Sequence, residues 1–225
     1  MQSVSKQIIY FLNKIKTMKK FLMSIVAVLM AAPSFAQYSS GGFTLSESTV
    51  YYGARIGMNL STITGDGTDD MKTKAGLTLG GVIGLRISDA TPVFMESGLY
   101  FTQYGAGGKG KNEMNINYFE IPVLIKYGFQ ATDEIFVLPY IGPTLAYGIS
   151  AKSKHEDNNG DVESTSGFGK NNLNHANVGI KIGCGAEWNK LYLEMGYHFG
   201  VTNILDDDKD TWHNGNFFVN FGVNF

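Results

Sequence analysis

The residues Asn214–Phe225 alternate strictly in character. Phe217, Val219, Phe221, Val223 and Phe225 share one face, and Asn220, Gly222 and Asn224 share the other. A period of two is the mark of a strand with one apolar face. The same alternation recurs upstream. Leu191, Leu193, Met195, Tyr197, Phe199 and Val201 oppose Tyr192, Glu194, Gly196, His198 and Gly200. Val178, Ile180, Ile182, Cys184, Ala186 and Trp188 oppose Gly179, Lys181, Gly183, Gly185 and Glu187, while Leu77, Leu79, Ile83, Leu85 and Ile87 oppose Thr78, Gly80, Gly84 and Arg86.

Eight strands follow from this pattern: Tyr51–Leu60, Gly76–Ile87, Val93–Tyr104, Asn115–Phe129, Ile135–Ser150, His175–Trp188, Leu191–Thr202 and Gly215–Phe225. Most exceed the five or six residues usual in globular sheets and approach what a tilted strand needs to cross a bilayer. Their connections alternate in length. Ser61–Ala75, Gly105–Met114, Ala151–Asn174 and Asn203–Asn214 are long, whereas Ser88–Pro92, Gln130–Glu134 and Asn189–Lys190 are short. An even strand number with short turns on one side and long loops on the other is the layout of a bacterial membrane barrel. The expected fold is therefore all-β, an eight-stranded antiparallel up-and-down transmembrane β-barrel over residues 51–225, preceded by a lead-in segment at 37–50.

Periodicity alone does not say which face is inside, and a soluble lipocalin-like barrel would turn the same pattern inside out. The polar face decides it. That face is rich in glycine and carries about one charge per strand, sparse for a surface in water but suited to an eight-stranded lumen just wide enough for side chains. Aromatics near strand ends (Tyr51, Tyr52, Tyr104, Tyr127, Trp188, Trp212) are expected to form interfacial girdles. Pro122, Pro139 and Pro143 each remove a ladder donor, so bulges or unpaired positions are expected beside them.

Composition agrees: 28 Gly, 13% aromatics and 5 Pro in 225 residues suit many strands and tight turns. A mean hydropathy of -0.06 does not argue against the membrane, because barrel strands alternate lipid-facing and lumen-facing residues. Met18-Lys19-Lys20, an apolar run from Phe21 to Ala32 and the small-x-small triplet Ser34-Phe35-Ala36 read as a cleaved signal peptide, with residues 1–36 removed. The run is shorter than the roughly 20 residues of a spanning helix. That removal takes out five lysines and no acid, leaving 13 basic against 20 acidic residues and a formal charge of -7. This balance argues against a nucleic-acid partner. The single cysteine, Cys184, excludes an internal disulfide framework.

Arg55, Arg86, Lys126 and Lys181 fall on the lumen phase of their strands with Glu96, Glu120, Glu187 and Glu194. Four bases and four acids in a narrow barrel must pair, since an unpaired charge out of water is costly. They are expected to form a lumen charge network that plugs the barrel. No catalytic, cofactor-binding or metal-ligating set emerges. Glu194 and His198 share a face but lie about 13 Å apart along a strand at roughly 3.3 Å per residue. Gly105-Ala-Gly-Gly-Lys-Gly110 lacks the following helix of a phosphate loop. The acidic loop runs Asp66–Asp70, Asp157–Asp161 and Asp206–Asp210 lack calcium-loop spacing and read as solvated charge.

Tyr52-Gly-Ala-Arg-Ile-Gly-Met-Asn-Leu-Ser61, Asn117-Tyr-Phe-Glu-Ile-Pro-Val-Leu-Ile-Lys-Tyr127, Pro139-Tyr-Ile-Gly-Pro143 and Leu193-Glu-Met-Gly-Tyr-His-Phe-Gly-Val-Thr-Asn-Ile204 resemble segments of the PorT-like family of outer-membrane β-barrels. The likeness covers nearly all of residues 50–225. It implies an eight-stranded barrel in the outer membrane of a Gram-negative bacterium, with a link to protein secretion through the member that names the family, and no catalytic residues. Phe225 resembles the aromatic signature by which such barrels engage the barrel-assembly machinery. The expected partners are outer-membrane lipid, that machinery and a protein met through the outer loops. The expected role is structural or interaction-based, accessory to secretion. One alternative is an outer-membrane enzyme acting on lipid or peptide, in which His155, His175, His198 or His213 would meet an acid and a hydroxyl. The other is a soluble periplasmic small-ligand carrier with a hollow apolar interior.

Overall fold

A computed structural model describes residues 50–68, 71–88, 90–108, 113–156, 162–166, 173–205 and 210–225. The side chains of 154–156 and 162–166 lie outside that description, as do the expected signal peptide and nearly all of the lead-in segment. The described residues form ten strands and no helix. They are β1 (Val50–Gly65), β2 (Lys72–Arg86), β3 (Val93–Gly107), β4 (Glu113–Tyr127), β5 (Phe129–Gln130), β6 (Ile135–Glu156), β7 (Val162–Ser166), β8 (Ala176–Trp188), β9 (Leu191–Gly200) and β10 (Trp212–Asn224). Eight of them close a barrel in the order β1-β2-β3-β4-β6-β8-β9-β10, each antiparallel to its neighbours. Closure is made by β1 on β10, from Gly53 opposite Asn224 to Gly65 opposite Trp212. The two short strands are additions that fold back on β6.

One rim carries the first and last strand ends, tied by Tyr52 N to Phe225 O at 3.0 Å. It also carries the tight connections, including Asn189-Lys190, where Asn189 takes a left-handed φ of 54° that asparagine tolerates better than most residues. The long connections meet at the other rim. Strands of 10 to 22 residues join the two.

The orientation of the wall is unambiguous. Ile56 and Leu79 are each 59% exposed, whereas Glu96, Glu120, Lys126 and His198 are 0% exposed. Apolar side chains face outward all round the barrel and the glycine-rich polar phase faces inward. The oily interior that a soluble carrier needed is not there. Among the described residues no helix is long and apolar enough to cross a membrane, and crossing falls to the strands.

Several loops expected from the pattern are partly strand. β1 runs on to Gly65, β3 to Gly107, and β6 to Glu156, where β7 pairs with it from Lys152 opposite Ser166 to Glu156 opposite Val162. These extensions carry no outward apolar face, so they leave no period-two signal of a lipid-facing wall. Backbone hydrogen bonds need none.

The prolines behave as half expected. Pairing lapses over Gly98–Leu99 opposite Ile121–Pro122 and over Val123–Leu124 opposite Gly142–Pro143, then resumes in unchanged register without a bulge. Ser97 Oγ donates to the Pro122 carbonyl at 2.7 Å beside the first lapse. The bulge between β4 and β6 lies elsewhere, at Ile149, between Gly148 opposite Tyr118 and Ser150 opposite Asn117. It moves the inward phase from Gly148 to Ala151.

Candidate functional site: the barrel interior

Two charge clusters occupy the interior at different heights. In the half nearer the short turns, Lys126 on β4 places Nζ 2.8 Å from Glu96 Oε1 on β3 and donates at 2.8 Å to the Tyr192 hydroxyl on β9. The other Glu96 oxygen accepts from the Tyr51 hydroxyl at 2.7 Å and lies 3.6 Å from the Arg55 guanidinium. Arg55 donates to Asn224 Oδ1 at 2.6 Å and stacks over the Tyr192 ring at 4.0 Å. Glu194 accepts from Asn220 Nδ2 at 2.7 Å and from the Tyr192 hydroxyl at 3.2 Å, and Glu187 accepts from Asn224 Nδ2. Tyrosine hydroxyls and asparagine amides thus supply the hydrogen bonds that a carboxylate out of water needs beyond its ion pair.

The second cluster sits higher. Glu120 on β4 accepts from Lys181 Nζ on β8 at 2.6 Å and from the Tyr104 hydroxyl at 2.7 Å. Lys181 lies 5.1 Å from the Tyr100 ring centroid and 4.8 Å from that of Phe218. His198 places Nε2 2.7 Å from Thr144 Oγ1 and stacks on Tyr104 at 5.9 Å.

Seven of the eight charges named from the sequence meet partners in these two clusters. Arg86 stands at the rim. It is the last residue of β2, half-buried at the turn rim, where Nε donates to the Ser88 carbonyl at 3.0 Å and the guanidinium lies over Phe94 at 6.0 Å. Phase put it inward, and its position at the strand end sets it at the rim. Two girdle candidates are corrected as well. Tyr51 and Tyr104 point into the lumen and bind Glu96 and Glu120, while Tyr52, Tyr127 and Trp188 stay on the outer wall. The signal was available: Tyr51 shares the odd parity of Arg55, and Tyr104 the even parity of Glu96. Glycine makes room for such rings. A Cβ added at Gly84 would strike the Tyr51 ring, and one at Gly185 the Tyr192 ring.

A cap at the loop rim has no trace in the residue pattern. Leu173 and Ile204, from the connections preceding β8 and β10, pack inward on Ile63, Tyr104, Ile116, Tyr118, Ala146 and Ala151. Asn174 clips the two connections, its backbone N donating to Ile204 O at 2.8 Å and its Nδ2 to Leu205 O at 2.8 Å. Asp66, expected as free loop charge, accepts from Thr211 N at 3.0 Å and Oγ1 at 3.2 Å. Among the described residues no group of three or more His, Cys, Asp or Glu is placed to hold a metal ion. Of the histidines whose side chains are described, His198 comes nearest to a catalytic grouping, with Thr144 and Tyr104 beside it, and it is buried in the interior. His175 and His213 lie toward the loop rim, and the side chain of His155 is outside the described residues.

A closed antiparallel barrel, apolar outside and ionic within, is the architecture of a protein that spans a membrane with strands. The family model described as outer membrane protein beta-barrel domain matches residues 35–206, and the chain belongs to that family. Its place is the outer membrane of a Gram-negative bacterium, in contact with membrane lipid. No curated protein matches the sequence. Similar solved structures include Neisserial surface protein A, with 16% identity, 79% of this chain and 98% of that one covered and a TM-score of 0.45. The attachment invasion locus protein Ail of Yersinia pestis, in complex with a heparin analogue, shows 15% identity, 79% and 100% coverage and a TM-score of 0.42. OprG of Pseudomonas aeruginosa shows 14% identity, 81% and 99% coverage and a TM-score of 0.47.

Proposed function

We propose that this protein is a plugged outer-membrane barrel that works through its outer loops, by contact with a protein partner, rather than by passing solute or by chemistry. The observation that carries this reading is the pair of interior clusters. Glu96–Lys126–Tyr192 and Glu120–Lys181 tie β3, β4, β8 and β9 together at two heights, at 2.6–2.8 Å. Moving an ion past them means separating desolvated charges, each of which costs several kcal/mol. The resemblance to PorT-like barrels supports a narrower version, in which the loop partner belongs to a secretion assembly. Assembly of the barrel through β10 and the barrel-assembly machinery is part of the same proposal.

Two measurements test it. Purified protein in a planar bilayer should give no steady ionic conductance, and regular single-channel steps would overturn the plug. Photo-cross-linkers placed at Asp66 and Thr211, on the clipped outer rim, should trap a discrete protein in intact cells. Trapping of lipid alone would remove the interaction role.

A further inference from the structure

Among the described residues, six buried hydrogen-bonding atoms on three neighbouring strands in the upper half of the interior have no partner. They are Nδ2 and Oδ1 of Asn177 on β8, Nδ1 of His198 on β9, and Nδ2 and Oδ1 of Asn214 with Oδ1 of Asn216 on β10. None of these residues is more than 4% exposed. Nine in ten or more buried polar groups in native proteins find a partner, and an orphan forfeits the hydrogen bonds it made with water. Such a concentration on one wall calls for an occupant.

The wall is built for close approach. Asn216 pairs with His198 across β10 and β9, and Gly200 pairs with Gly179 across β9 and β8. A Cβ at Gly200 would strike the Asn214 amide oxygen, and one at Gly179 would strike His198 Nε2. The two glycines therefore let the amide and the imidazole lie along the wall. The groups around it are already engaged: Tyr104 donates to Glu120, and Thr144, opposite Gly179 on the adjoining strand, is bonded to His198. The Lys181–Glu120 pair lies at the foot of this wall, with Lys181 opposite His198 across β8 and β9, and the Leu173–Ile204 cap lies above. The carboxamides of Asn177 and Asn214 each offer a donor and an acceptor, that of Asn216 offers an acceptor, and none carries charge.

We propose that this layer is a binding site for small neutral molecules that both donate and accept hydrogen bonds. Water is its resting occupant, and a hydroxyl- or carboxamide-bearing solute replaces that water by entering from the loop rim past Leu173 and Ile204. The ionic plug below stays intact, so the site is a vestibule closed at its base. It is independent of any loop partner.

The first test places a thiol in the layer, Asn214→Cys in a Cys184→Ser background, with folding checked by the change in gel mobility that a closed barrel shows on heating. Methyl methanethiosulfonate, small and neutral, should modify the folded protein at least ten-fold faster than the charged sulfonatoethyl reagent. Ile204→Ala should raise the neutral rate several-fold. No modification, or equal rates with the two reagents, overturns the vestibule. The second test is Asn177→Leu, which keeps the approximate shape and removes two orphan atoms. A wall that binds water loses bridged hydrogen bonds, so the urea midpoint should fall. A rise would mean a dry wall and would overturn the site. A fall without thiol modification overturns the solute part.

Discussion

Lys181 on β8 and Glu120 on β4 meet at 2.6 Å inside the barrel, the lysine side chain 7% exposed and the glutamate 1%. These strands are not neighbours, since β6 lies between them. The pair is therefore a contact across the lumen that neither strand pairing nor phase alone creates. Breaking one side should cost far more than removing both. Lys181→Met leaves a buried carboxylate with the Tyr104 hydroxyl still donating to it but without its ion-pair partner, and should destabilise by about 3–5 kcal/mol. The double variant with Glu120→Gln should recover most of that, as read by urea unfolding in lipid vesicles. Equal losses for the single and double variants would show that the pair is not coupled.

Tyr192 joins the turn-side cluster through its hydroxyl and its ring at once. Tyr192→Phe keeps the ring under Arg55 and Lys126 but removes the hydroxyl, so it should cost roughly 1–3 kcal/mol. Tyr192→Leu should cost more. A Phe variant as weak as the Leu variant would assign the contribution to the hydroxyl, and a Phe variant as stable as the parent would assign it to the ring.

Arg55 and Arg86 are the two arginines, and their positions predict opposite sensitivities. Arg55→Ala strips Asn224 and Glu96 of a buried partner and should destabilise by about 3–5 kcal/mol. Arg86→Ala, at the half-buried rim, should cost no more than about 1 kcal/mol. The same unfolding assay compares them, and a reversal of the order would mean that Arg86 belongs to the network after all.

The outer wall makes a prediction of its own. Ile182 and Val219 face outward near the middle of their strands. Ile182→Lys or Val219→Lys should cost about 2–4 kcal/mol in a bilayer, as charge on the lipid face does. Val201→Lys, just past the end of β9 toward the loop rim, should cost no more than about 1 kcal/mol. Insensitivity to depth would contradict a lipid-facing wall.

Parity along the chain determined a great deal unaided: the class of fold, the eight wall strands, which residues face inward and which end carries the short turns. It did so because a strand sends successive side chains to opposite faces, so a lipid-facing wall writes its pattern directly into the order of residues. Parity also placed Arg55, Glu96, Glu120, Lys126, Lys181, Glu187 and Glu194 inside. The sequence could not say which charge meets which. That depends on stagger around the closed barrel, which sets the height of Lys181 against Glu120 and leaves Arg86 at the rim. The polar extensions of β1, β3 and β6, the Leu173–Ile204 cap and the unpartnered asparagine wall were equally hidden. Backbone pairing without an outward apolar face leaves no periodic trace, and contacts between distant loops exist only once the ring has closed.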